Sequence, residues 1–147
     1  MEVHWVVEEV ERTSERLDAL RSSPFVFWMD VRGPVPSPGP DLAAAAVAAY
    51  GDVTRVTGVE PAADWRSEVR QAARRMGLFA ELFRGEAREE PEFLVEWVLE
   101  IIEDTLGTVR AAGRVTHRPT GWYAALWEDW VLVTDEWAVV LSLTNES

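Results

Sequence analysis

Residues 122–144, WYAALWEDWVLVTDEWAVVLSLT, decide how this chain is read, because they hold four of its eight tryptophans within apolar runs too short for helices. Two acidic pairs, Glu128-Asp129 and Asp135-Glu136, interrupt those runs. Three consecutive short strands joined by tight antiparallel hairpins are the economical reading. From Trp137 the alternation is regular: Trp137, Val139, Leu141 and Leu143 point one way, and Ala138, Val140, Ser142 and Thr144 the other. The first set is expected in the core.

Upstream of that stretch, Pro91 to Leu106 predicts a long helix, with proline in the first turn, acids crowding the N-terminal end and Gly107 just past the last periodic residue. Phe93, Leu94, Val95, Trp97, Val98, Leu99, Ile101 and Ile102 cover most of its circumference. Glu92, Glu96, Glu100 and Glu103 interrupt at steps of four, four and three, which makes one acidic ridge. Thr108 to Val115 is then strand-like and runs into a turn-rich connector, His117 to Gly121.

Further back, Asp64 is placed to cap a helix whose apolar face is Trp65, Val69, Ala72, Ala73 and Met76, with Gly77 as its stop. Arg66, Arg70 and Arg74 line the opposite side at steps of four. Leu78, Phe79, Leu82 and Phe83 read as a further helical turn or two ending at Gly85. Asp41, Leu42 to Tyr50 and Gly51 have the order cap, helix and C-terminal glycine. Val53 to Thr57 reads as a short strand. Gly33 to Pro40, with a proline at every second position, predicts an extended surface loop without regular hydrogen bonding. Phe25 to Met29 reads as a strand buried on both faces, with Trp28 in the core, and Val3, Val6, Val10, Thr13, Leu17 and Leu20 place an apolar stripe on a first helix. The expected fold is one α+β domain over residues 1–147. Several helices pack on a mainly antiparallel sheet formed largely by the C-terminal third.

Composition narrows the chemistry. The 147 residues include no cysteine, so disulfides, thiolate nucleophiles and cysteine metal sites are excluded. All 14 basic residues are arginine, which removes Walker-type phosphate loops, Schiff-base chemistry and lysine general bases. A net charge of −12 argues against nucleic acid as a partner and favours attraction to basic proteins. No apolar run approaches a membrane span, and the acidic start MEVHWVVEEVER lacks the basic flank of a secretory signal, so a cytoplasmic location off the membrane is expected.

The charge is concentrated in two segments, residues 86–106 and 122–147, and the remainder is neutral in aggregate. Carboxylates one helical turn apart, as in Glu92, Glu96, Glu100 and Glu103 beside Asp104, can share a magnesium ion and a phosphate. The runner-up reading is therefore a magnesium-dependent nucleotide or phosphoryl hydrolase built on residues 92–104. Against it, the neighbouring charged helix carries Arg66, Arg70 and Arg74, so the two ridges can face and neutralise each other. His4 and His117 lack a second histidine at ligand spacing, and the arginines around His117 suggest a surface turn. No serine has a nucleophile-elbow context, and neither catalytic residues nor a metal or other cofactor are implied.

The leading expectation is a small acidic protein-binding module, of the inhibitor, immunity-protein or antitoxin kind, that covers a basic surface of a toxin or effector. Its expected partner-binding residues are Glu92, Glu96, Glu100 and Glu103 with Trp127, Glu128, Asp129, Trp130, Asp135 and Glu136, which set aromatic anchors beside acidic turns.

Overall fold

In the computed structural model, which describes residues 2–21, 26–78 and 89–146, five strands form one sheet. They are β1 (Val26–Pro36), β2 (Thr54–Pro61), β3 (Ala111–Pro119), β4 (Leu126–Val133) and β5 (Trp137–Glu146). Their spatial order is β1-β5-β4-β3-β2, and every pairing is antiparallel. Four α-helices accompany them among the described residues: α1 (Trp5–Leu20), α2 (Leu42–Tyr50), α3 (Trp65–Ala73) and α4 (Glu89–Leu106). This is the expected α+β architecture, with three of the five strands supplied by the C-terminal third. No helix among the described residues is long and apolar enough to cross a membrane.

Local chemistry sets the helix ends as the residue patterns imply. The Asp41 carboxylate accepts hydrogen bonds from the backbone N–H groups of Ala43 (2.9 Å) and Ala44 (3.3 Å), satisfying donors that the first turn of α2 leaves free. Asp64 does the same for Ser67 in α3. Gly107 closes α4 at φ 99°, a conformation that an L side chain resists, and its N–H reaches the Glu103 carbonyl at 2.9 Å. The alternation from Trp137 also holds. Val139, Leu141 and Leu143 enter the larger core with Phe27, Met29, Val31, Trp130 and Leu132, under α1, α3 and α4. Ala138 and Val140 enter a second, smaller core under α2, so β5 is buried on both faces. Ser14 joins the first layer to the sheet: its hydroxyl donates to the Met29 carbonyl at 2.7 Å and accepts from the Met29 N–H at 3.1 Å.

Four expectations are corrected. Residues 122–144 hold two strands and not three: β4 runs straight through Glu128-Asp129, and only Asp135-Glu136 lies in a hairpin turn, closed by the Thr134 N–H to the Trp137 carbonyl at 2.9 Å. A charged pair reads as a turn because charges seldom sit inside; here Asp129 finds hydroxyl donors in the interior, and Glu128, on the other face, pairs with Arg75 and Arg114. The proline-rich stretch is not wholly a loop, since β1 continues to Pro36. Prolines are tolerated on this edge strand, and the register shifts between Arg32 and Val35 around Gly33 at φ 93°, where a Cβ would come within 3.0 Å of the Ala138 carbonyl. His117 is not in a surface turn: β3 extends through it to Pro119, held by β2. Trp28 is half-buried and stands on the sheet face away from the larger core. In addition, α3 passes through Gly77 as a π-helical turn, Arg74–Leu78. The expected turns at Phe79, Leu82, Phe83 and Gly85, and the start of the first strand at Phe25, lie outside the described residues.

Candidate functional site

Strand register assembles the site. On the face carrying α2, Trp28 pairs through Thr144 with Trp127, and one step inward Asp30 pairs through Ser142 with Asp129. Side chains directly opposite on neighbouring strands stand about 5 Å apart at Cβ, so these rows place an aromatic band beside a polar one. The α2 helix covers only the far end of the face. There Ala45, Ala46, Ala49 and Tyr50 meet Val115, Val131, Val133, Ala138 and Val140. Gly113 permits that approach, because a Cβ on it would collide with Val59 and sit 3.1 Å from Leu42. The near end is closed by the connection between β3 and β4, which folds Tyr123 inward.

Asp129 is the centre of this arrangement and is 1% exposed. Its Oδ2 accepts hydrogen bonds from the Tyr50 hydroxyl at 2.5 Å and the Tyr123 hydroxyl at 2.7 Å, and its Oδ1 accepts from the Ser142 hydroxyl at 2.6 Å. Three hydroxyl donors replace the water a buried carboxylate loses. His117 Nε2 lies 2.9 Å from Asp129 Oδ2 but off the line of a hydrogen bond, and its Nδ1 lies 2.7 Å from the Thr54 hydroxyl. The imidazole is enclosed by the Tyr50, Tyr123 and Trp127 rings at centroid distances of 4.9, 4.9 and 5.5 Å. Burial, reinforced by the Asp129 charge, pushes the Tyr50 phenol well above its ordinary pKa, and the same causes push Tyr123 up to about 12. Both phenols stay protonated and serve as donors.

Beside this buried knot the sheet face opens into a cleft of about 340 Å³ between β1, β5 and Tyr123, lined in part by Trp28, Asp30, Arg32 and Glu146. The Arg32 guanidinium is drawn to one wall. It stands 4.9 Å over the Tyr123 ring and donates from Nε to the Tyr123 hydroxyl at 3.4 Å. Burial raises the Asp30 pKa, with the Arg32 charge opposing it. Around the corner, β3 and β4 part beyond the Val115–Asp129 pair and leave a second cleft of about 430 Å³, with Glu60, Arg114 and Glu128 at its mouth.

The expected partner-binding residues are not brought onto one surface. The acidic ridge of α4 faces α3: Glu92 meets Arg74 at 3.2 Å, Glu96 meets Arg70 at 2.7 Å, and Glu100 and Glu103 meet Arg66 at 3.1 and 2.5 Å. The hydrogen bond from Arg70 holds the Glu96 carboxyl below its ordinary pKa, with burial opposing. These carboxylates are engaged by guanidinium groups, and among the described residues no group of three or more histidines and carboxylates is arranged to hold a metal ion. Trp130 is fully buried in the larger core, and Asp129 is the buried carboxylate described above. Glu128, on the opposite face of β4 from Asp129, bridges Arg75 at 2.8 Å and Arg114. Trp127 is half-buried against Tyr123. Asp135 and Glu136 are exposed at the other end of β4, roughly 20 Å of extended strand away, where Asp135 pairs with Arg110 at 3.2 Å.

Sequence reasoning missed Tyr50, His117, Tyr123, Ser142, Asp30 and Arg32. One signal was available. Once β4 is run through Glu128-Asp129, parity puts Asp129 on the face of Val131 and Val133, and Ser142 is the one polar residue among the six buried positions Ala138 to Leu143 of β5. Compared with known proteins, the chain matches no family, and no curated protein or solved structure matches it significantly.

Proposed function

We propose that this chain is a small acidic protein-binding module of the inhibitor, immunity-protein or antitoxin kind, acting in the cytoplasm on a basic surface of a protein partner. The observation that carries the proposal is the connection between β3 and β4. Trp122 is 81% exposed and Leu126 64% exposed, while Tyr123 between them is hydrogen-bonded into the buried Asp129–Ser142 knot and Ala124 is buried. A large aromatic held out to solvent on a chain segment pinned from inside has little ordering entropy left to lose on binding. The net charge of −12 supplies steering toward a basic partner. The contact surface differs from the one the sequence suggests, because the α4 ridge is neutralised from within.

Affinity capture from the source lysate tests this, with wild type compared against a Trp122→Ala, Leu126→Ala double variant. Both side chains are exposed, so the variant is expected to unfold at the wild-type temperature. The expected result is a basic protein retained by wild type, released by added salt, and bound at least about 30-fold more weakly by the variant. No retained protein, or retention indifferent to salt and to both substitutions, overturns the proposal.

A further inference from the structure

The cleft between β1, β5 and Tyr123 has a chemistry of its own. Its floor carries the Asp30 carboxylate, half-buried and given a backbone hydrogen bond by Val31, but with no side-chain hydrogen bond or ion pair at bonding distance among the described residues. Arg32, two positions along on the same side of β1, is stacked on the Tyr123 ring and hydrogen-bonded to its hydroxyl, and among the described residues Asp30 has no direct charged partner. Glu146 stands at the rim, and Asp129 lies one strand further in on the same row as Asp30. Among the described residues, three carboxylates against one guanidinium make this end of the face negative. Trp28 forms an aromatic wall beside Asp30 on the same side of β1. At about 340 Å³ the cleft is at the small end of ligand sites and has room for a single extended side chain.

We infer that this cleft is a receptor for one arginine side chain of the protein partner, with the guanidinium against Asp30 and Glu146 and its plane on the Trp28 ring. An arginine suits the site better than a lysine. Its planar fork meets a carboxylate through two parallel N–H···O bonds and stacks on an aromatic face, and it sheds water more readily than an ammonium. The inference rests on the proposed partner-binding function only in that the arginine belongs to a protein, since the cleft can be tested without any partner.

The probes are N-acetyl-L-arginine amide and its citrulline counterpart, which has nearly the same shape without the charge, titrated into the intact protein while the tryptophan indole N–H resonances are followed. The expected result is saturable binding of the arginine probe with a Kd on the order of millimolar, centred on the Trp28 resonance, with no saturation by the citrulline probe. Asp30→Asn is expected to weaken binding at least about tenfold, and Glu146→Gln, at the open rim, by a few-fold. Should Asp30→Asn disturb the fold, Glu146→Gln and the citrulline comparison still decide. Equal binding of the two probes, binding unchanged by both substitutions, or no saturation by the arginine probe overturns the inference. Loss of probe binding alongside intact capture through Trp122 removes the arginine receptor and leaves the partner reading standing. Probe binding without any captured protein does the reverse.

Discussion

The two faces of the sheet are built by opposite means from the same strands. Toward α1, α3 and α4, successive strands present Phe27, Met29, Val31, Trp130, Leu132, Val139, Leu141 and Leu143, and the core they form is apolar apart from points such as the Ser14–Met29 link. Toward α2, the neighbouring residues are Asp30, Arg32, Asp129 and Ser142, interleaved with small apolar ones, and the Asp129 carboxylate is buried by taking hydrogen bonds from three hydroxyls. Trp130 and Asp129 are adjacent in the chain and equally buried, at 0% and 1% exposure. The difference teaches that one side of this sheet is held by volume, which many side chains can supply, and the other by hydrogen-bond geometry, which few can.

That contrast can be broken by mutation. The largest effect is expected from Trp130→Ala, which empties the centre of the apolar face and should cost about 3–5 kcal/mol in urea denaturation. A sharper comparison sets Asp129→Asn against Leu141→Met, two swaps that nearly conserve volume. Asparagine at 129 offers one carbonyl oxygen and an NH₂ group to three hydroxyl donors, so roughly 2–4 kcal/mol should be lost, while Leu141→Met should cost under about 1.5 kcal/mol. Equal costs for the two would abolish the distinction between the faces.

Alkaline titration examines the polar face alone, because the two tyrosines of the chain, Tyr50 and Tyr123, both belong to it. An unfolded phenol ionises near 10. In the fold Tyr123 is pushed up to about 12 and Tyr50 is raised as well. Both raised values favour the protonated form, so their contribution to stability is complete below pH 10 and is lost as pH climbs through the folded values. Near-ultraviolet absorbance should therefore show no tyrosinate step at pH 10 in the native protein, and stability should fall from about pH 10 toward pH 12. A full step near pH 10 in the native protein would contradict the hydrogen-bonded knot. The smallest effect belongs to the ladder between α3 and α4. Its members are part-exposed, so a double-mutant cycle on Arg70 and Glu96 should return only about 0.2–1 kcal/mol, diminishing with salt.

Much of the scaffold was legible in the residues, and most of the candidate site was not. The cap at Asp41, the stop at Gly107 and the alternation from Trp137 to Leu143 depend on groups within a few residues, or on a period that a strand imposes whatever it pairs with. The ridge of Arg66, Arg70 and Arg74 and the ridge of Glu92, Glu96, Glu100 and Glu103 were each legible too, because steps of three and four put each set on one helical face. Asp129 reads as a turn because its donors all lie outside its own strand: Tyr50 is 79 positions distant in the chain, Ser142 stands opposite on β5, and Tyr123 folds back from the connection before β4. His117 was lost for the same reason, since its partner Thr54 is 63 positions away.

The sequence by itself determined the α+β class, the placing of most helices, the exclusion of cysteine and lysine chemistry and the surplus of negative charge, all of which follow from composition or from short-range periodicity. Only the tertiary structure decided that the α4 ridge is consumed by arginines, that Glu128 and Asp129 lie on opposite faces of one strand, and that Trp122 is held outward while Tyr123 is held in. Those outcomes depend on strand register, a long-range quantity in which a shift of one residue exchanges the faces, and on whether a buried charge finds donors brought by elements remote in the chain.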